Sequence, residues 1–88
     1  MNIQLDGACM TTREALHDHL TRQLQLPLCY GRNLDALYDL LTEMTTPVTL
    51  NLVNRQALVD ALGSYGAQTL RVLQDAAEEN PYLTVSIS

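Results

Sequence analysis

Leu26-Pro27-Leu28-Cys29-Tyr30-Gly31-Arg32-Asn33-Leu34-Asp35-Ala36-Leu37-Tyr38-Asp39-Leu40-Leu41-Thr42-Glu43 sets the plan of this chain: a short loop built on Pro27 and Gly31 runs into a helix. Asn33 stands where an N-cap belongs, so its side-chain oxygen can accept from a first-turn amide that has no partner within the helix. At about 100° per residue, Leu34, Leu37, Leu40, Leu41 and Met44 fall within roughly a third of the circumference and form a core-facing stripe. Asp35, Asp39 and Glu43, spaced i, i+4, i+8, fall on the opposite side, with Tyr38 and Thr42 beside them. No Lys or Arg lies between Arg32 and Arg55 to neutralise that ridge. Like charges four apart cost a few tenths of a kcal/mol, and Glu43 sits near the negative end of the helix dipole. Local stability therefore does not account for the ridge. A docking surface for a strongly cationic partner does, against the plainer alternative of a solvated acidic face.

Outward from this helix, the hydrophobic pattern alternates between two periods. Residues 2–6 place Ile3 and Leu5 on one side of a short strand and Asn2, Gln4 and Asp6 on the other. Thr11-Thr12-Arg13-Glu14 has the form of a capping box with Thr11 as cap, and a helix follows to about Leu24, stacking Leu16, Leu20 and Leu24. Pro27 closes that segment, because the residue before a proline avoids the helical region. Beyond the acidic helix, Val48, Leu50 and Leu52 alternate with Thr49, Asn51 and Val53 in a second strand. Asn54 can cap a short helix carrying Ala57, Leu58, Ala61 and Leu62, ended by Gly63. Tyr65-Gly66 reads as a turn. A fourth helix spans about Ala67 to Glu79, and Leu83, Val85 and Ile87 alternate in a final strand.

The order is βααβααβ. Helices between successive strands imply crossovers and hence a parallel sheet. Alternation in all three strands implies one face against helices and one toward solvent. Right-handed crossovers on one face then give strand order 1-2-3. The expectation is a two-layer α/β domain filling residues 1–88, with a three-stranded parallel sheet and helices on one face.

Eighty-eight residues leave room for one core, and a hydrophobic content of 47% suits a folded chain. With no Trp and no Phe, that core must come from Leu, Val, Ile, Ala and Met. Ten acids oppose five bases, all Arg, for a net charge of −5. That balance disfavours nucleic acid, whose recognition rests on clustered cations, and anionic membrane surfaces. A basic protein is the natural complement. The N-terminus carries no signal-peptide pattern, and no apolar run approaches the ~20 residues that span a bilayer, so the cytoplasm is the expected compartment.

Catalytic equipment is sparse. There is no Gly-rich phosphate loop, no G-x-S-x-G and no zinc motif, so neither metal nor cofactor is expected. His17 and His19 project about 200° apart on a helix and cannot chelate one ion; they read as surface residues, with room for one to pack at the helix margin. Cys9 and Cys29 form no CxxC and are expected as free thiols. A Cys29–His nucleophilic pair would need the loop folded onto the first helix and a third group to orient the base. Asp75, Glu78 and Glu79 make a second acidic group, which could flank the first if the second and fourth helices are neighbours.

The residues Leu26-Pro27, Tyr30-Gly31, Asn33-Leu34-Asp35-Ala36-Leu37, Asp39 and Leu41-Thr42 resemble the barstar family, intracellular inhibitors of secreted ribonucleases. Gly66-Ala67 and the ending Leu83-Thr84-Val85-Ser86-Ile87-Ser88 extend the likeness to nearly the whole chain. The resemblance implies a monomeric one-to-one inhibitor that lays its second helix and preceding loop over a ribonuclease active site. The carboxylate matching Asp39 takes the place of an RNA phosphate. Asp35 and Thr42 match further helix contacts, Gly31 and Asn33 the covering loop, and Asp75, allowing a one-residue gap, a family glutamate that contacts the enzyme's basic rim. Cys29 stands where the family's archetype has Tyr, and Tyr38 and Met44 where it has Trp. The expected partner-binding set is Cys29, Tyr30, Gly31, Asn33, Asp35, Tyr38, Asp39, Thr42, Glu43 and Asp75, facing a basic ribonuclease or nuclease-type toxin. The alternative is a barstar-like interaction module that binds another basic protein and inhibits no nuclease.

Overall fold

A computed structural model describes residues 1–88. Strands β1 (Asn2–Asp6), β2 (Val48–Val53) and β3 (Leu83–Ile87) form one parallel sheet in the order β1-β2-β3. The register pairs Ile3 with Leu50 and Leu5 with Leu52, and Leu50 with Val85, so inward residues meet inward residues across the sheet. Helices α1 (Arg13–Leu24), α2 (Leu34–Thr42), α3 (Arg55–Leu62) and α4 (Ser64–Glu79) form the crossovers. The α/β class, the parallel pairing and the strand order match the expectation from alternation.

One core joins the layers. Leu5, Leu50 and Leu52 from the sheet meet Leu16 and Leu20 of α1, Leu37 and Leu41 of α2, Leu58 of α3 and Leu73 of α4, all essentially without solvent contact. Burial of each such side chain contributes roughly 1.5–3 kcal/mol relative to exposure. Tyr30, from the loop, is the aromatic member that the aliphatic reading of the core left out.

Several local expectations change. The cap of α1 is Thr12 rather than Thr11: its Oγ1 accepts from Ala15 N at 3.0 Å, one residue later than the capping-box reading. Gln25 turns left-handed and closes α1 before Pro27. Helix α2 ends at Thr42, with Glu43 as its C-cap, so Met44 lies beyond the helix rather than on its stripe. Asn54 precedes α3 but makes no side-chain cap: its backbone is left-handed (φ 57°) rather than extended as a cap requires, and its Nδ2 donates to Asp6 Oδ1 at 2.8 Å.

Tyr65 and Gly66 belong to α4, not to a turn. At Gly66 a Cβ would stand 2.8 Å from Leu58 O, so the glycine permits the close approach of α3 and α4. The chain reverses instead at Gly63, whose combination of φ 56° and ψ −126° is readily adopted only by glycine. Finally, α4 packs against α2, and Asn80 fastens their ends: its Nδ2 donates to Leu41 O at 2.9 Å and Met44 O at 3.0 Å.

Candidate functional site

The loop 25–33 is short of regular structure but not of anchors. Tyr30 N donates to Pro27 O at 3.0 Å, making a turn around Leu28 and Cys29. The Tyr30 ring then turns inward, and its hydroxyl lies 2.7 Å from His17 Nδ1. His17 Nε2 lies 2.8 Å from the Tyr65 hydroxyl, so the neutral imidazole donates to one phenol and accepts from the other. The Arg13 guanidinium covers the Tyr65 ring at 4.0 Å, a cation–π contact.

Arg32 adopts a left-handed φ of 54°, which is unfavourable for a residue with a Cβ. Its guanidinium compensates by reaching back to α1, donating to Asp18 Oδ1 at 2.9 Å and Glu14 O at 3.2 Å. Asn33 then caps α2 as expected, its Oδ1 accepting from Ala36 N at 2.7 Å while its Nδ2 donates to Gly31 O at 3.2 Å. One side chain therefore fixes both the helix start and the loop before it.

Both histidines are interior, correcting the reading of them as surface residues. His17 is 3% exposed and His19 6%. They do point apart, as the helical spacing requires: His19 Nε2 accepts from Asp6 N at 3.0 Å, on the β1 side. Burial lowers the pKa of both below the ordinary 6.5, with Arg32 acting in the same direction on His17 and Arg22 on His19. Burial also raises the Tyr30 phenol to about 12. With both its ring nitrogens taken by phenols, His17 is not a base for Cys29, and both thiols are free and exposed.

The acidic residues lie outward. Asp35, Asp39 and Glu43 are all exposed along α2, and the molecule's one ion pair, Arg32–Asp18, touches none of them. On α4, Asp75 and Glu79 are four residues apart and share a face. Tyr38 marks where the two helices' charges converge. Its phenol is pushed above the ordinary 10.0 first by desolvation, then by Glu79, Asp75 and Asp39.

The surface carries three depressions, two of them bordering α2. Beneath the loop, a recess of about 200 Å³ is lined by Pro27, Cys29, Tyr30, Gly31, Ala36, Asp39 and Leu40, bringing four of the expected site residues together. A cleft of about 380 Å³ holds Asn33 and Asp35 with Arg13, Arg32, His17 and Tyr65. A groove of about 550 Å³ along α4 contains Asp75, Glu78 and Arg71.

Thr42 Oγ1 donates to Tyr38 O at 2.9 Å and Asp39 O at 3.1 Å, so its hydroxyl hydrogen is engaged within the helix. Tyr30 is the one member of the expected set whose side chain is buried. Two residues outside the expected set adjoin it: Glu79, already part of the second acidic group and four residues from Asp75, and Leu28, the fully exposed residue at the loop tip.

A family model described as "Barstar (barnase inhibitor)" matches residues 1–86. The chain belongs to the barstar family. Among curated proteins it is similar to YrdF of Bacillus subtilis (strain 168), whose name describes a candidate ribonuclease inhibitor. The two are 46% identical over 78 residues, which cover 88% of this chain and 86% of the relative. The description of the barstar family is that of an inhibitor rather than an enzyme. In this barstar-family chain no helix is long and apolar enough to cross a membrane.

Proposed function

We propose that this protein binds a basic ribonuclease and blocks its active site by presenting carboxylates where the enzyme expects RNA phosphates, with Asp39 at the centre. The observation that carries the reading is the ridge of Asp35, Asp39 and Glu43, exposed on a helix whose opposite side is locked into the core and left without any cationic partner in its own chain. A ribonuclease site must be cationic to bind phosphate, so the two surfaces are electrostatic complements. Asp39 borders the recess under the loop, where a cationic side chain could be enclosed and its charge pair removed from water. Asp75 and Glu79, beside Tyr38, extend the negative field toward the enzyme's rim. Family membership and the name of the relative support the same role.

The expected behaviour is one-to-one inhibition of a basic ribonuclease, competitive with RNA, whose association rate falls steeply as salt rises. Kinetics with RNA as the varied substrate test this. Inhibition that RNA does not relieve would remove the phosphate-mimicry mechanism. Tight binding to a basic protein without loss of nuclease activity would favour the interaction-module reading.

A further inference from the structure

Leu28 is the one large aliphatic side chain away from the termini that the fold leaves wholly in water. Its relative exposure is 107%, against 78% for Met1 and 47% for the amphipathic Tyr82. A single exposed leucine is commonplace. This one is held out. Pro27 restricts the backbone before it, and the bond from Tyr30 N to Pro27 O closes the turn in which it sits. Behind that turn, Tyr30 is 7% exposed and tied to His17, so the tip cannot fold inward without drawing a ring out of the core. Cys29, the next residue, shares its recess with Asp39. The apolar tip thus stands between Pro27 and Cys29, both of which line the recess that Asp39 borders.

We propose that Leu28 is the specificity anchor of this face, seated on binding in an apolar socket beside the cationic site of a basic ribonuclease. This rests on the ribonuclease reading above and adds to it what charge cannot supply. Every phosphate-binding site is cationic, so the acidic ridge attracts the whole class of such enzymes without choosing among them. An apolar residue at the edge of the ridge can choose, because only a partner with a matching depression gains from burying it. A second copy of this chain is a poor occupant, since joining two such faces would bring the Asp35–Glu43 ridges together. The fixed turn also spares most of the ordering entropy that a flexible tip would lose on docking.

The test uses a panel of purified basic bacterial ribonucleases, barnase among them, screened with the wild-type chain. Each inhibited enzyme is then measured with Leu28→Ala, Leu28→Met, Leu28→Asp and Asp39→Ala by association and dissociation kinetics. The exposed tip carries none of the fold, so all three Leu28 variants should melt as the wild type does. Leu28→Ala should weaken binding about 10- to 100-fold, nearly all in the dissociation rate and unchanged by added salt. Leu28→Met should stay within about threefold of wild type. Leu28→Asp adds charge of the attractive sign and should nonetheless bind more weakly than wild type. A Leu28→Ala effect within twofold, or Leu28→Asp binding more tightly than wild type, overturns the anchor. A large Asp39→Ala loss in that case leaves the ribonuclease reading standing. Inhibition of no enzyme in the panel overturns both.

Discussion

Segment 26–43 has a back and a front, and they are built by opposite rules. On the back, Leu37, Leu41 and Tyr30 lie in the core, and every buried polar side-chain atom in the molecule finds a partner, His17 between two phenols included. On the front, Asp35, Asp39 and Glu43 stand in water, with neither an ion pair nor a favourable helix-dipole position for Glu43. The back holds a shape, and the front leaves its charges for another molecule. A surface that gives up local stability is affordable only because the layer behind it is rigid.

This contrast can be broken from either side. The largest effect on stability is expected at the back. Leu41→Ala removes a fully buried side chain from the core behind α2 and should cost about 2–5 kcal/mol in urea unfolding. The fraction that stays folded should still inhibit.

Tyr30→Phe comes next. It leaves His17 Nδ1 without its phenol partner inside the protein, for an expected loss of about 1–3 kcal/mol. The same cluster governs acid sensitivity. His17 and His19 have folded pKa values below the unfolded 6.5, so between those values the unfolded chain binds more protons than the folded one. Stability should therefore be full above about pH 6.5 and decline as pH falls below it, until the folded values are reached. A His17→Gln, His19→Gln double variant should flatten that decline in a urea midpoint-versus-pH series, and an unchanged slope would remove the histidines from the cause.

Asn33→Ala lies at the seam between back and front. Loss of its bonds to Ala36 N and Gly31 O should cost about 1 kcal/mol in thermal unfolding and also loosen the loop. At the small end, Glu43→Gln should leave stability within about 0.5 kcal/mol, because the side chain is exposed and unpaired.

The back was the more legible of the two in its regular parts and the less legible in its irregular ones. Alternation at Ile3 and Leu5, in Val48–Val53 and at Leu83, Val85 and Ile87 is enough to orient three strands, because a one-residue slip would turn the inward side chains to water. Where two choices were locally equivalent, the decision came from elsewhere in the chain. Thr11 and Thr12 both suit a cap. Asn54 suits one too, but its backbone is left-handed there, and its amide donates to Asp6, 48 residues away in sequence. Tyr65-Gly66 has turn propensity, yet both lie in α4, where Gly66 serves the close approach of Leu58 rather than a turn. The burial of His17 was invisible because its phenol partners lie 13 and 48 residues away.

The front was legible in its charge, since the i, i+4 spacing of Asp35, Asp39 and Glu43 survives any shift in helix ends. The loop carries no period. Nothing in the order Leu28-Cys29-Tyr30 says that the leucine points out and the tyrosine in.

The most direct test of the division between back and front is a calorimetric titration of a ribonuclease inhibited by this protein with wild type, Asp39→Ala and Glu43→Ala. Removing one member of an enclosed charge pair typically costs about 3–5 kcal/mol, so Asp39→Ala should weaken the complex by more than about 100-fold, while Glu43→Ala at the helix end changes it by less than about tenfold. Equal and small losses for the two variants would contradict a binding face centred on Asp39.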